Sequence, residues 1–201
     1  MNHRIAMSVK RAIDILFSLA ALLAFSPLMA VIALVVKITS PGPTLFRQQR
    51  AGLHGKPFWI LKFRSMVTDA DRTGPVTYLA DPRVTRVGRL LRLTSLDELP
   101  QLINVLRGEM SLVGPRPLLP ESIRPEENWR QTVRPGCTSL TVVNGRQSLD
   151  WNERMRLDQW YAENWSLWLD FRILLLTIPV VLLRKNVYDH EGEMKVRPLG
   201  Y

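Results

Sequence analysis

The sequence predicts an α+β fold, mostly helical, with an N-terminal re-entrant (helix-break-helix) membrane segment, a small β-hairpin and amphipathic interfacial helices. Three observations predict it. Residues 15–36 run for 22 positions without a charge and carry Ser26-Pro27 near their middle. Two alternating segments flank a glycine-containing turn at 52–55. Apolar residues then recur at helical spacing through the second half, in stretches too short to cross a bilayer.

The first segment reads ILFSLAALLAFSPLMAVIALVV. As a straight helix it would span about 33 Å, enough to cross a hydrocarbon core. A cleaved signal peptide fits poorly, because the apolar part is long, no clean small-x-small site follows, and a basic stretch comes directly after. Pro27 removes one helical hydrogen bond and its ring clashes with the preceding turn, so a break is expected at Ser26-Pro27. It would leave arms of roughly 16 and 14 Å, each about half a hydrocarbon core. Arg4, Lys10 and Arg11 precede the segment, and Lys37, Arg47, Arg50 and Lys56 follow it. Basic flanks on both sides fit a hairpin whose two ends lie on the cytoplasmic side. The Ser26 hydroxyl is available to a backbone group freed at the break. Length and charge equally allow an ordinary kinked transmembrane helix.

Ser40-Pro41-Gly42-Pro43 punctuates the end of this segment. Leu45 to Gln49 and Phe58 to Arg64 read as strands joined by a turn around Gly52 to Gly55. In the second, Trp59, Leu61 and Phe63 share one face, and Ile60, Lys62 and Arg64 the other. The second face either offers cations to an anion or simply meets solvent. Residues 68–82 read as a polar loop. Arg83, Arg86, Arg89 and Arg92 follow at three-residue intervals, a drifting basic stripe on a helix. Ser95-Leu96-Asp97-Glu98 has the pattern of a capping box, and Leu99, Leu102, Ile103 and Leu106 repeat at helical spacing. Pro100 belongs near a helix start, so the cap is Ser95, Leu96 or Asp97, and Asp97 and Glu98 are expected in the first turn. Gly108 ends that helix. Prolines on both sides of Arg116 hold its backbone extended. Residues 121–131 read as a polar helix, Arg134-Pro135-Gly136 as a turn, and Thr141 to Asn144 as a short strand. Trp151, Trp160, Trp165 and Trp168 suit a membrane interface or a packed core equally. Ile173 to Leu183, interrupted by Pro179, reads as an interfacial or buried helix.

Composition narrows the function. With 46% hydrophobic and 22% charged residues the chain supports a packed core, and its 201 residues suggest one domain. The 27 Lys and Arg against 18 Asp and Glu leave a charge of +9, which favours anionic partners. A nucleic-acid binder fits that charge but not the uncharged 22-residue stretch. The single Cys137 excludes an internal disulfide framework. His3, His54 and His190 lie far apart, so a transition-metal site is not expected, whereas an oxygen-coordinated hard cation stays open. No Gly-rich phosphate loop occurs. Adjacent carboxylates at a helix start commonly cap it. A carboxylate can also attack phosphorus, and a second one with Mg²⁺ can neutralise a diphosphate. The membrane segment, the arginine-rich stretch and the Pro-Arg-Pro element around Asp97-Glu98 therefore point to an anion-handling membrane enzyme.

An ordered series of motifs resembles the bacterial sugar transferases, the monotopic polyprenyl-phosphate phosphoglycosyl transferases. It comprises Lys10-Arg11 with Asp14, Ser26-Pro27, Lys62-Phe63-Arg64-Ser65-Met66, Ser95 to Gln101, Asn104 to Gly108, Met110 to Pro117, Arg134-Pro135-Gly136 and Val143-Asn144-Gly145-Arg146. The resemblance covers the chain from about Lys10 to beyond Leu183. It implies a re-entrant helix at 1–40 broken at Ser26-Pro27, a catalytic domain at 41–186 and a polar tail at 187–201. It implies the bacterial inner membrane, with the active site at the cytoplasmic face. The reaction it implies is ping-pong: Asp97 attacks the β-phosphate of a UDP-sugar, UMP leaves, and undecaprenyl phosphate takes the phosphosugar. This is the first membrane step of surface polysaccharide or glycoconjugate synthesis. Glu98 would assist as metal ligand or as base, Asp97 and Glu98 would hold Mg²⁺, and Lys62, Arg92, Arg116 and Arg146 would bind phosphate or substrate. Membrane lipids surround such a protein, nucleic acid is not a partner, and a homodimer is allowed.

One departure from the family pattern stands out. After Arg134-Pro135-Gly136 the family usually continues with Thr-Gly, an aromatic or small residue, then Gln. Here Ser139 stands for the Gly and Val142 for the Gln. The loss of an amide bears on sugar specificity, and it motivates a second expectation: a non-catalytic homologue acting as membrane-bound partner of a glycan-assembly enzyme.

Overall fold

A computed structural model describes residues 3–70, 81–145 and 148–183. The apolar segment forms α1 (His3–Thr39), a single helix of 37 residues with Pro27 inside it. The helix does not stop at Ser26-Pro27 as the sequence suggests. Pro27 cannot donate to the carbonyl four residues back, that of Leu23. The Ser26 hydroxyl donates to this carbonyl instead, at 2.9 Å. The defect is satisfied locally and the helix continues through it.

The two halves of α1 touch the rest of the protein differently. In the first half, Arg11 donates to the Val105 and Leu106 carbonyls at 2.6 and 2.9 Å. Asp14 accepts from the Ser111 hydroxyl and the Leu112 amide at 3.1 and 3.0 Å. Lys10 pairs with Asp170 at 2.5 Å and donates to the Val113 carbonyl at 3.1 Å. In the second half the contact is apolar: Ile32 and Val36 are buried with Phe63 and Leu91. Between the halves, Leu23 through Leu28 are all exposed. That run is longer than one turn of about 3.6 residues, so no side of the helix is covered there.

The predicted hairpin forms from β1 (Leu45–Ala51) and β2 (Pro57–Phe63), paired antiparallel from Leu45↔Phe63 to Ala51↔Pro57. Its connection carries His54 and Gly55 at positive φ, the conformation that reverses the chain between the strands. A second pair, β3 (Ser111–Val113) and β4 (Gly136–Thr138), is parallel. The strand expected at Thr141 to Asn144 is instead a helical turn, α4 (Leu140–Val143). Its start is set by Ser139, whose hydroxyl accepts from the Val142 amide at 3.2 Å. The polar segment read as a helix at 121–131 consists of short 3-10 turns at Pro120–Ser122 and Pro125–Thr132.

The remaining helices are α2 (Arg86–Thr94), α3 (Gln101–Arg107), α5 (Trp151–Asn164) and α6 (Leu167–Leu182). Only Arg86, Arg89 and Arg92 of the arginine series lie on α2. Thr85 caps that helix by accepting from the Gly88 amide, and Arg83 before it pairs with Asp81 at 2.6 Å. The C-terminal core gathers Val113, Leu140, Val143, Tyr161 and Ile173. Trp160 and Trp165 pack against this core, whereas Trp151 and Trp168 are exposed. On α6, Trp168, Phe171, Leu175, Ile178 and Leu182 are all exposed at spacings of three and four, while Asp170 and Ile173 are buried.

Candidate active site

The Asp97-Glu98 pair does not sit in the first turn of an α-helix. Ser95 adopts a left-handed conformation, φ 57° and ψ 15°, and ends α2 rather than capping the next helix. Leu96–Glu98 forms a single 3-10 turn, and α3 begins only at Gln101, after Pro100. The capping box is not made, because its first residue is already spent closing the preceding helix. The turn is held from below by apolar contacts, since Leu96 and Leu99 pack on the Ile32, Val36, Phe63 and Leu91 cluster. The carboxylates therefore stand directly beside the C-terminal half of the apolar helix.

Two neighbours converge on the turn. Lys62, from β2, pairs with Glu98 at 2.6 Å. Asn104, fully buried in α3, fixes the spacing behind that contact. It accepts from the Leu61 amide at 3.0 Å and donates to the Trp59 carbonyl at 2.8 Å, locking helix to strand. Arg92 approaches from the last turn of α2 and acts electrostatically on Asp97. This approach requires Gly88, because a Cβ there would lie 1.9 Å from the Ser65 carbonyl oxygen. Arg64, just after β2 and expected on the same face as Lys62, does not join the site. It donates to the Ser40 carbonyl and hydroxyl, each at 2.7 Å, and so anchors the end of α1.

Asp97 is buried, with 8% of its surface exposed. Burial, and after it the Glu98 carboxylate, pushes its carboxyl up to about 6, against the opposing pull of Lys62 and Arg92. Such a carboxylate is mostly ionised at neutral pH yet more basic than an ordinary aspartate, which suits a nucleophile. The half-buried Cys137 thiol is also pushed up, by desolvation first and then by Glu98, which sets Glu98 near β4.

The predicted site residues are thus partly assembled. Lys62, Arg92, Asp97 and Glu98 come together. Arg116 is exposed and belongs to a second group, where its charge acts on Arg50, Arg154 and Asp158. Arg146 lies outside the described residues. In the departing segment, Ser139 has φ −151°, extended backbone that needs no glycine, and Val142 is half-buried. Sequence reasoning missed the buried Asp158, Arg130 and Thr141. A carboxylate inside a tryptophan-rich helical region was their one local signal.

Among the described residues no three His, Cys, Asp or Glu side chains gather into a metal cage. Mg²⁺ in phosphate chemistry commonly takes one or two carboxylates and completes its shell with substrate oxygens and water. The adjacent Asp97 and Glu98 fit that lesser demand.

The apolar helix and the carboxylate turn beside it define the class. The family model described as bacterial sugar transferase matches residues 5–184, and the chain belongs to that family. The uncharacterized sugar transferase EpsL of Bacillus subtilis (strain 168) is 42% identical over 185 residues, covering 90% of this chain and 91% of EpsL. A UDP-glucose:undecaprenyl-phosphate glucose-1-phosphate transferase of Caulobacter vibrioides is 47% identical over 200 residues, covering 92% of this chain and 74% of that protein. The Escherichia coli (strain K12) protein of the same description is 44% identical over 195 residues, covering 90% of this chain but 41% of its own length.

Proposed function

We propose that this protein transfers a sugar-1-phosphate from a UDP-sugar to undecaprenyl phosphate, through a covalent phosphosugar on Asp97, at the cytoplasmic face of the bacterial inner membrane. The observation that carries the reading is the placement of a buried, basic aspartate next to Glu98, Lys62 and Arg92. That placement is directly beside an apolar helix whose most hydrophobic 18 residues have a mean hydropathy of 2.6. The relatives named as undecaprenyl-phosphate sugar phosphotransferases support the same chemistry.

In the first step an Asp97 carboxylate oxygen attacks the β-phosphorus. The bond from that phosphorus to the bridging oxygen breaks, and UMP leaves with the electron pair. In the second, an oxygen of undecaprenyl phosphate attacks the same phosphorus. The acyl-phosphate bond breaks, undecaprenyl-diphospho-sugar departs, and the Asp97 carboxylate is regenerated. Lys62 holds Glu98 in place and lowers the basicity of Asp97, and Arg92 faces the charge that builds on the phosphoryl oxygens. Arg116 grips a phosphate of the donor. Mg²⁺ bound by Asp97 and Glu98 would neutralise the diphosphate.

The acceptor reaches the turn through lipid. A re-entrant path for α1 is supported by the exposed stretch Leu23–Leu28 between two anchored halves, and by basic residues on both flanks of the uncharged segment 15–36. The exposed apolar stripe of α6 supports an interfacial position among membrane lipids. The test is a membrane fraction given a UDP-sugar labelled in the β-phosphate. Wild type should release UMP and, without acceptor, retain label on the protein. Asp97→Asn should do neither, and full turnover by that variant would sink the nucleophile assignment.

A further inference from the structure

The Arg116 loop is held through its main-chain carbonyls. Pro115 and Pro117 carry no amide, so the Arg116 N–H is the one donor in that stretch. Four consecutive carbonyls accept from three elements, β1, β4 and the 3-10 turn at Pro125–Thr132. The Pro115 carbonyl accepts from the Gly136 amide at 2.9 Å, and the Leu118 carbonyl from the Ala51 amide at 3.0 Å. The Arg116 carbonyl accepts from the Arg130 guanidinium at 3.5 Å, and the Pro117 carbonyl from that of Arg50 at 3.4 Å.

Behind the loop lies a buried polar cluster with no part in the reaction as derived above. Asp158 is 2% exposed and Arg130 is 7% exposed. The guanidinium reaches one carboxylate oxygen of Asp158 at 2.7 and 3.2 Å. The Thr141 hydroxyl donates to the other at 2.6 Å. The Arg116 main chain lies against the same carboxylate and favours its charge. The ion pair therefore stands against the Arg116 main chain, with Arg130 donating to its C=O and the Asp158 carboxylate beside it. Burial pushes the Asp158 carboxyl up and the Arg130 guanidinium down, so each disfavours its charge and each supplies the counter-charge that offsets this in the other. A buried pair is weak support for stability, since packed apolar residues of like volume commonly do as well.

We propose that Asp158 and Arg130, completed by Thr141, are positioning residues that aim the exposed Arg116 side chain at a phosphate of the donor. The proposal rests on the assignment of Arg116 above. It also gives a role to part of the segment that departs from the family pattern, because Thr141 lies within Ser139–Val142. Its hydroxyl occupies the carboxylate oxygen that Arg130 leaves open. The clamp fixes the main chain and leaves the guanidinium outside, so its loss loosens the aim without removing the charge.

The test combines kinetics with amide exchange in the full-length protein held in lipid nanodiscs. Asp158→Asn keeps the shape and removes the charge, and Thr141→Val removes one hydrogen bond at nearly constant volume, covering the case in which the first variant does not fold. Each should lower kcat/KM for the UDP-sugar by about tenfold or more, chiefly through KM, the order expected when a binding group is misplaced. In an Arg116→Ala background the same substitutions should cost nothing further, because there is no side chain left to aim. Losses that multiply in that background would overturn the positioning role while leaving Arg116 as a phosphate ligand. An Arg116→Ala protein with wild-type kinetics would overturn the ligand assignment itself. Hydrogen exchange at the Arg116 amide judges the clamp without any turnover: it should quicken in both variants while the amides of α3 stay protected. Unchanged protection at Arg116 would refute it.

Discussion

Replacing Asp97 with asparagine should make the folded protein more stable at neutral pH while ending transfer. The folded carboxyl titrates at about 6 instead of the ordinary 3.8, so the native state holds this proton more tightly than the unfolded chain does. Stability then falls as pH rises from about 4 through about 6, because the unfolded state gives up the proton first. Above that range the ionised group costs the fold about 3 kcal/mol relative to a neutral one. The figure already sets the attraction of Lys62 and Arg92 against burial and the repulsion of Glu98. Asparagine has nearly the same shape and no charge at any pH, so it removes the penalty. In a protein of this size that corresponds to a rise in Tm of about 6–12 °C at pH 7.5, with little difference at pH 4. Thermal unfolding of both proteins in nanodiscs measures it, with UMP release followed in parallel. A variant that unfolds at or below the wild-type temperature at pH 7.5 would refute the claim that burial dominates the Asp97 environment.

Two further outcomes follow from the same geometry. Lys62→Gln removes a cation that lowers the Asp97 carboxyl, so the acid limb of kcat/KM for UMP release should move up by roughly one pH unit; an unmoved limb would separate Lys62 from Asp97. Gly88→Ala would bring a Cβ against the Ser65 carbonyl, forcing α2 away from the strand end; denaturant unfolding should show a loss of about 1–3 kcal/mol, and a stability matching wild type would show that α2 is not pressed against Ser65.

The parts of this fold that could be read in advance are those whose signals are local. The hairpin announces itself through alternation along Phe58 to Arg64 and a turn rich in glycine. The apolar run declares α1, and Ser26 answers Pro27 within a single turn. The capping-box pattern at Ser95 to Glu98 misled because a matching pattern does not show which helix owns the serine. A left-handed Ser95 closes α2, and Pro100 defers α3 to Gln101. The Thr141 region alternates weakly enough to read as a strand until the Ser139 cap turns it into helix. Arg116 was legible as a rigidly held arginine, but its separation from the charges that act on Asp97 was not, since the Pro-Arg-Pro element carries no record of what it packs on. Asp158 and Arg130 lie 28 residues apart, and no local pattern joins them.

The anchors of α1 also set an order of events during synthesis. Arg11 is made early, but its acceptors at Val105 and Leu106 come 94 and 95 residues later, and the Asp170 partner of Lys10 comes 160 residues later. At translation speeds of about 5–20 residues per second, that last partner arrives roughly 8–32 s after Lys10. The polar anchors of α1 at Lys10 and Arg11 are therefore completed long after the helix itself is made. For that interval the first half of α1 waits for its polar partners, while Ile32 and Val36 in the second half meet Phe63 and Leu91 much sooner.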